Sequence, residues 1–495
     1  MSESMMTKPR FILIDNALNT TVGHYYEYDV SVLASVPRSQ YEALLFSNVD
    51  APDELKHLSI PFFHCDFWAP SREQRSARMQ NTRPAASDLP AQSAMLQSGK
   101  GSPDLAYVRY RQVVEWGKKL DRQYGHNTLA RPFLLWAKRL FFWARAWRWR
   151  LNANIQPTVV GTPNPKRAPS KPIHLNDADK VLYSIFLTDL LELFQQYAVG
   201  PQDVLFFPNM NHWALAAIID LAQQVGYEQL PKIKLLFRRN IFVGRPTVEQ
   251  YLADDYFVRT FESLFDCLAQ YPNGKLAFFT DTERLKAEYE VFSPFEFQVL
   301  PIPFRHDLIK IKSSPGHPFR VVYLGNARSE KGFQYLPRLV ESISSRVHTG
   351  EVEFVFQAIP DPEAVVLEAI QKLKQLPGVT LLESPLTDRE YYELLNSGDI
   401  MLILYDPVMY FSRSSCIFVE SVLSATPFIT LSGSWMTQVM APGTGEVLKD
   451  ISELPTALER VLDNYQQYHQ AIRCASEKWE SYHNPRKLVE ILLSD

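Results

Sequence analysis

The sequence predicts an α/β protein made of two Rossmann-like domains, each built on a parallel sheet. The chain has 495 residues, which is long enough for two domains of about 200 residues with insertions. Short apolar runs of strand length alternate with segments of helical periodicity, once between residues 11 and 300 and again between 319 and 431. Continuous apolar runs are typical of parallel strands buried on both faces, and the helices between them provide the crossover connections.

The first half of the chain carries the strands and helices of one domain, which we place at residues 1–303. Apolar runs predict strands at 11–15, 41–47, 59–64, 204–207, 233–237, 275–279 and 297–300. Apolar residues at helical spacing predict helices at about 177–197, 213–225, 247–269 and 284–289. Thr282 precedes the last of these helices and offers its hydroxyl group as an N-cap.

An insertion at about 70–176 interrupts this alternation. Within it, residues 131–151 predict a basic amphipathic helix. Its apolar face consists of Phe133, Trp136, Leu140, Trp143, Trp147 and Leu151, and it is surrounded by Arg131, Lys138, Arg139, Arg145, Arg148 and Arg150. Such a helix is typical of contact with an anionic membrane surface. The alternatives are a helix that packs on the core with solvated arginines and, with less support, a nucleic-acid contact.

The second half predicts a second domain at 319–478. Its strands are expected at 319–324, 353–357, 379–382, 400–404 and 428–431, and its helices at 362–374, 391–397 and within 452–478. The central unit of this domain is the strand at 400–404, the loop that follows it and the helix from about 415 to 425, which Pro427 ends.

The loop before that helix is a predicted diphosphate site. The hydroxyl groups of Ser412, Ser414 and Ser415 each offer an N-cap. A helix that begins at the carboxyl end of a buried strand presents free N–H groups and the positive end of its dipole. Glu420 lies one to two turns into the helix, on a side that is otherwise apolar. A carboxylate at that position needs a reason, unless it is simply a solvated helix residue.

This stretch resembles the donor site of GT-B glycosyltransferases, specifically the retaining family 4 group. The family pattern is a Glu, seven residues and a second Glu on the same strand, loop and helix. Glu420 matches the second Glu, which in that family holds the ribose of the nucleotide sugar. The first Glu would fall at position 412, where this chain has Ser412. The resemblance therefore implies a ribose contact at Glu420, while the usual contact with a sugar hydroxyl group is missing.

A second matching motif follows the strand at 319–324. The family has Gly-Arg, a few residues and Glu-Lys-Gly, and this chain has Gly325, Asn326, Arg328, Glu330, Lys331 and Gly332. The resemblance assigns Lys331 to the diphosphate, whose charge an ammonium group neutralises. Asn326 replaces the family's arginine, and Arg328 is the candidate to supply the missing guanidinium group. The alternative is a simple helix entry. The donor-binding set is then Gly325, Arg328, Lys331, Ser414, Ser415, Cys416, Ile417 and Glu420.

The resemblance also implies the overall arrangement: an acceptor-side domain at 1–303, a linker at 304–318, a donor domain at 319–478, and a last helix at 479–495 that crosses back to the first domain. Gly23 and His24 fit the glycine-rich loop that faces the cleft after the first strand, or else an ordinary turn with a surface histidine. His212 follows a strand of the first domain and is a candidate catalytic residue that faces the transferred sugar, or else a structural histidine.

Composition narrows the functional classes. The net charge of −4 argues against whole-chain nucleic-acid binding. Cys65, Cys267, Cys416 and Cys474 have no metal-ligand spacing, and we expect neither a zinc site nor a disulfide framework. We expect no metal cofactor, since GT-B enzymes usually need none. No run of apolar residues is long enough to span a membrane, and residues 1–10 do not form a signal peptide pattern. These features favour a cytoplasmic protein, peripheral at the inner membrane face if 131–151 binds there.

Two functions from different classes remain open. The first is a glycosyltransferase that moves a hexosyl unit, with retention, from a nucleotide diphosphate sugar to a glycan or lipid-linked glycan. The second is a non-catalytic GT-B-like binding or scaffold protein of a polysaccharide assembly system, in which Ser412 and Asn326 mark lost catalysis. A nucleotide-sugar epimerase on the same fold is a weaker third. The sequence names neither the donor, the acceptor nor the linkage.

Overall fold

A computed structural model describes residues 8–21, 23–71, 175–241, 255–272, 274–291, 293–361 and 363–494. Almost all of the predicted insertion, including the amphipathic helix at 131–151 and its membrane contact, lies outside these residues. Within the described parts of the chain, no helix is both long enough and apolar enough to cross a membrane.

The N-terminal domain is built on a parallel sheet, as predicted. Its strands are β1 (Arg10–Asp15), β2 (Glu42–Asn48), β3 (Ile60–Phe63), β4 (Val204–Phe207), β5 (Lys232–Phe237), β6 (Leu276–Thr280) and β7 (Phe297–Val299). The strand order in the described sheet is β3-β2-β1-β4-β5-β6-β7. Each predicted run forms a strand because its apolar side chains are buried by helices on both faces of the sheet.

Three of the five described helices of this domain start at a residue whose side chain caps them. They are α1 (His24–Ser35), α2 (Asp177–Gln196), α3 (His212–Val225), α4 (Asp255–Leu268) and α5 (Glu283–Glu290). Asn176 caps α2 by accepting a hydrogen bond from the Asp179 N–H, and Asn211 caps α3 in the same way. The predicted Thr282 cap is confirmed, since its hydroxyl oxygen accepts from the Leu285 N–H at 3.0 Å.

The C-terminal domain repeats the arrangement. Its strands are β8 (Phe319–Tyr323), β9 (Val352–Gln357), β10 (Val379–Leu382), β11 (Ile400–Ile403), β12 (Phe428–Leu431) and β13 (Gly445–Leu448). The described sheet has the order β10-β9-β8-β11-β12-β13, and its paired strands are parallel. Strand β13 was not predicted, because this short edge strand is only partly buried and lacks a continuous apolar run.

The helices of the second half complete both domains. They are α6 (Leu336–Ser342), α7 (Ser344–His348), α8 (Ala364–Leu373), α9 (Asp388–Ser397), α10 (Cys416–Leu423), α11 (Trp435–Val439), α12 (Leu454–Asp463), α13 (Tyr465–Tyr482) and α14 (Pro485–Leu493). Helix α13 packs on the C-terminal core through Ile472. Helix α14 instead buries Leu488 and Leu492 in the same cluster as Tyr28 of α1. The chain thus returns to the N-terminal domain at its end.

The strand orders mark a potential ligand site at the same place in each sheet. In each sheet the order reverses beside the first strand of the domain, which is β1 in one sheet and β8 in the other. In open parallel sheets, ligands bind outside the carboxyl ends of the strands at such a reversal. The loops after β1, β4, β8 and β11 are therefore the ones to examine for a functional site.

Candidate functional site

The loop after β8 brings its backbone close to helix α10 by means of two glycines. Gly325 has a φ of 93° and Gly332 a φ of 79°, a region that favours glycine. A Cβ atom on Gly332 would lie 2.4 Å from the carbonyl oxygen of Leu404. A Cβ on Gly325 would lie 3.1 Å from the Lys331 Nζ and 3.2 Å from the Ile417 Cδ1. Gly325, Lys331 and Ile417, three predicted donor-site residues, therefore meet at one point.

The Lys331 side chain has no anionic partner. Its ammonium group lies 5.5 Å from the centre of the Tyr405 ring and forms no ion pair or hydrogen bond with the described residues. Burial and, after it, the charge of Arg328 lower the pKa of Lys331 to about 8, and the charge of Glu330 opposes this shift. A cation that is held in a protein without a counter-charge costs free energy. Such a group is poised to bind an anion.

Helix α10 begins beside this lysine. Of the three predicted hydroxyl caps, Ser415 is the one used, accepting a hydrogen bond from the Phe418 N–H at 3.2 Å. The N–H groups of Cys416 and Ile417, at the first two helical positions, have no acceptor in the described parts of the chain. These free N–H groups and the helix dipole make the start of α10 favourable for negative charge.

Glu420 is buried on this helix, with 7% of its surface exposed, so it is not a solvated helix residue. Its Oε2 accepts a hydrogen bond from the Tyr391 hydroxyl group at 2.5 Å. Burial raises the pKa of Glu420 to about 7, and hydrogen bonds from Tyr391 and Tyr392 oppose that shift. Glu420 thus retains an acceptor oxygen at a buried position of the same helix that starts at Cys416.

Asn326, at the position of the expected arginine, and Arg328, the candidate to replace that arginine, differ in their surroundings. Asn326, which replaces the family's arginine, is exposed. Arg328 is 41% exposed and forms ion pairs with Glu330 at 3.6 Å and with Asp361 at 3.3 Å. It lies close enough to affect the pKa of Lys331, but two carboxylates already neutralise its charge.

Arg238, Asp281 and Tyr28 lie on the N-terminal side of the site and were not predicted to belong to it. Arg238 directly follows β5, and its Nε lies 3.2 Å from the Asp281 Oδ2. Its guanidinium group covers the Tyr28 ring at 5.0 Å, and its Nη2 lies 3.9 Å from the Cys416 Sγ. The only signal in the sequence was the position of Arg238 and Asp281 at strand ends, where ligands bind in parallel sheets.

The loop before α10 is attached to the N-terminal domain by several hydrogen bonds. Thr282 donates its hydroxyl hydrogen to the Ser412 carbonyl oxygen at 2.6 Å, and Ser412 in turn donates to the Glu288 carboxyl group. Ser414 donates to the Asp281 Oδ2 at 2.6 Å. Arg284 donates to the Phe411 carbonyl oxygen at 2.7 Å, with its guanidinium group 3.9 Å from the Phe411 ring centre. These contacts join the two domains at this loop.

A second interdomain contact joins two carboxyl groups. Glu27 of α1 lies beside Asp388, at the start of α9, and the Tyr392 hydroxyl group lies 3.5 Å from the Glu27 Oε2. Burial, followed by a hydrogen bond and charge repulsion from Asp388, raises the pKa of Glu27 to about 8, while Arg305 opposes the shift. A pKa of about 8 favours the protonated form of Glu27 at neutral pH.

The predicted residues of the N-terminal half are not joined to this site by contacts of the described residues. His212 is buried at the start of α3, where its Nε2 lies 2.8 Å from the Asp179 Oδ2, among the rings of Tyr256, Phe257 and Phe261. All of these partners belong to the N-terminal domain, and they support the structural alternative for His212. Gly23 has a φ of 102° and directly precedes α1, as expected for the cleft loop, and the His24 backbone begins that helix.

The raised pKa of Glu27 predicts a pH dependence of stability. The ordinary pKa of 4.5 applies to the unfolded chain, so the folded protein binds the extra proton between about pH 4.5 and 8. This contribution is present at low pH and is lost as the pH rises through about 8.

We expect the melting temperature to fall from pH 6 to pH 9, and to fall less in Glu27→Gln, which hydrogen-bonds without titrating. Glu393→Gln on the exposed face of α9 is the control, and equal slopes for Glu27→Gln and wild type would contradict the assignment.

Comparison with known proteins identifies the fold. No family model matches the sequence, and no curated protein resembles it significantly. Among solved structures, the trehalose-6-phosphate synthase OtsA matches with a TM-score of 0.55 at 12% identity, over 98% of this chain and 99% of that one. The Anabaena protein Alr3699/HepE, in complex with UDP and glucose, matches with a TM-score of 0.54 at 10% identity, over 98% of both chains.

The N-terminal domain of a Candida albicans trehalose-6-phosphate phosphatase also matches, with a TM-score of 0.54 at 12% identity, over 99% of this chain and 97% of that one. Identities this low establish the fold and leave the activity open. With its two parallel sheets and matches over nearly its whole length, the chain has the GT-B fold seen in retaining glycosyltransferases.

Proposed function

We propose that this protein is a metal-independent retaining glycosyltransferase, similar to the family 4 group, which transfers a hexosyl unit from a nucleotide diphosphate sugar to a glycan or lipid-linked glycan. The observation that carries the proposal is the Lys331 ammonium group, which has no anionic partner among the described residues and lies beside the start of α10. A diphosphate matches both features, because it is an anion with several acceptor oxygens.

The chemical role of this arrangement follows from charge. When the bond between the sugar and the diphosphate breaks, negative charge builds up on the leaving oxygen. Lys331 and the free N–H groups of Cys416 and Ile417 would stabilise that charge with donors already held in place by the fold. The Gly325 backbone, which lies close to the Lys331 ammonium group, leaves room for the diphosphate because it has no side chain.

Glu420 would hold the ribose of the donor. It occupies the position of the family's second Glu, and its burial with Tyr391 fixes the orientation of the carboxyl group. A carboxylate can accept from two hydroxyl groups, and one of its oxygens already accepts from Tyr391. UDP is the first nucleotide to test, because the Anabaena protein of the same fold was solved with UDP and glucose. The acceptor remains a proposal, as does its presentation at a membrane bound by 131–151.

The non-catalytic alternative is supported by a separate observation. Ser412 replaces the family's first Glu, and the structure uses its hydroxyl group to bind Glu288 of the N-terminal domain. If the hydrogen bonds of Ser412 to the N-terminal domain persist when ligands are present, position 412 cannot contact a sugar. That outcome would favour a binding or scaffold protein. The fold alone does not decide, since it also occurs in the N-terminal domain of a phosphatase.

Turnover separates these functions. We expect the protein to release UDP, GDP or ADP from at least one nucleotide sugar when a glycan acceptor is present, and the product to keep the anomeric configuration of the donor. Product analysis by nuclear magnetic resonance distinguishes transfer from epimerisation, which changes the sugar without releasing nucleotide. Binding of a nucleotide sugar without either product, across a panel of donors and acceptors, would favour the scaffold function.

We predict that Lys331→Ala weakens binding of the cognate nucleoside diphosphate by about 1.5–3 kcal/mol, the scale of a charge-assisted hydrogen bond. The affinity of the wild type should also fall as the pH rises through about 8, because a neutral amine cannot pair with the diphosphate. Calorimetry between pH 7 and 10 measures both effects. Lys372→Ala, an exposed lysine of α8, is the control. Equal affinity in folded Lys331→Ala would remove the proposed diphosphate site.

We predict that Glu420→Gln loses donor affinity and that Glu420→Asp loses somewhat less, since aspartate keeps the acceptor oxygens but shortens the side chain. The loss should appear with the nucleoside and not with inorganic pyrophosphate, because Glu420 is assigned to the ribose. Glu368→Gln on the exposed face of α8 provides the comparison. A nucleotide-bound structure in which Glu420 remains away from the ribose would sink the assignment.

A further inference from the structure

We infer that Arg238 is the second cation of the diphosphate site and that it reaches this site from the opposite domain. The inference rests on the proposed function and extends it, since the resemblance places both cations of the family on the donor domain. Here the donor domain supplies Lys331, and the N-terminal domain supplies a guanidinium group at the other side of the start of α10.

Acceptors among the described residues use little of the hydrogen-bonding capacity of Arg238. A guanidinium group has five N–H donors. In the described parts of the chain, Nε donates to the Asp281 Oδ2 at 3.2 Å, and the other recorded contact of a donor atom is that of Nη2 with the Cys416 Sγ at 3.9 Å. The side chain is nevertheless only 13% exposed. The guanidinium group thus has one oxygen acceptor among the described residues, and its Nη2 is the donor that approaches α10.

The Nη2 atom of Arg238 lies at the start of α10. Cys416 is the first residue of α10, and Ile417, the next residue, meets Gly325 and the Lys331 ammonium group. The guanidinium group therefore approaches the helix start from the N-terminal domain, while the ammonium group approaches it from the loop after β8. An anion at the free N–H groups of Cys416 and Ile417 would lie between two cations. A diphosphate, with two phosphoryl groups, fits two cations better than a single phosphate does.

Tyr28 and Asp281 hold the Arg238 side chain in place, and Asp281 alone pairs with its charge among the described residues. The Tyr28 ring lies 5.0 Å from the guanidinium carbon and supports its face, which leaves the N–H edge free. Asp281 is the single carboxylate that pairs with Arg238 in the described residues, and it also accepts from Ser414. Within ion-pair distance, the two cations therefore face one carboxylate among the described residues, and Glu330 acts on Lys331 from farther away.

This arrangement has a consequence for domain closure. Because the two cations belong to different domains, a diphosphate bound between them would connect those domains. A ligand without phosphates would leave that connection unmade. The departure of Asn326 from the family pattern then has an explanation, because the guanidinium group lost from one side of the cleft is supplied from the other.

The experiment compares UDP, inorganic pyrophosphate and uridine as calorimetric probes of the full-length protein and of Arg238→Gln. We expect Arg238→Gln to bind UDP and pyrophosphate about ten- to a hundredfold more weakly, the loss of a charge-assisted hydrogen bond, and to bind uridine as the wild type does. Arg238→Lys keeps the charge but loses the planar fork, and its affinity for UDP should be intermediate. Arg460→Gln, which removes an exposed arginine of α12, is the control.

The outcomes are distinguishable. If Lys331→Ala weakens UDP binding and a folded Arg238→Gln does not, the role of Arg238 is overturned and the proposed function stands. If Arg238→Gln weakens UDP and uridine equally, Arg238 is structural and the inference fails. If the wild type binds neither UDP nor pyrophosphate, the inference and the proposed diphosphate site fail together. Where Arg238→Gln does not fold, Arg238→Lys decides, because UDP affinity equal to that of the wild type would contradict a bidentate contact.

Discussion

The charge balance at the start of α10 is the constraint on which the rest of the site depends. Asp281 lies between Arg238 and Ser414, so one carboxylate of the N-terminal domain fixes both an arginine and the loop before α10. Buried charges are tolerated when they are paired and hydrogen-bonded. Lys331 lacks such a partner among the described residues, and an anionic ligand would recover the free energy of leaving it unpaired.

The hydrogen bonds that join the two domains also position helix α10. Thr282, Arg284 and Asp281 of the N-terminal domain hold the loop from Phe411 to Ser414, and α10 begins two residues later. Opening of the cleft must break these contacts together, since they share one loop. A separation of the two domains would therefore disturb the start of α10, and the Glu27 contact makes the interface sensitive to pH at a second place.

Much of the fold was predictable because it is encoded locally. Apolar runs gave the central strands of both sheets, and the Thr282 cap followed from the hydroxyl group before a helical run. Strand β13 was not predicted from the sequence, because this edge strand lacks a continuous apolar pattern. Within the site, Lys331 and Gly325 carry a local motif, but the choice of Ser415 over Ser412 and Ser414 depends on partners in the other domain. Arg238 was missed for the same reason, because it lies 178 residues from Cys416 in the chain.

The clearest departure from the family pattern, Ser412, is explained by the interface. Its side chain is buried with 1% of the residue exposed, and its hydroxyl group donates to Glu288, whose other oxygen accepts from the Ile241 N–H at 3.3 Å. A glutamate at position 412 would place a second carboxylate against Glu288 at a buried contact, and like charges at such a distance repel strongly. A hydroxyl group donates where a carboxylate could only accept. A small hydroxyl donor at position 412 therefore fits the contact with Glu288, which a second carboxylate would not.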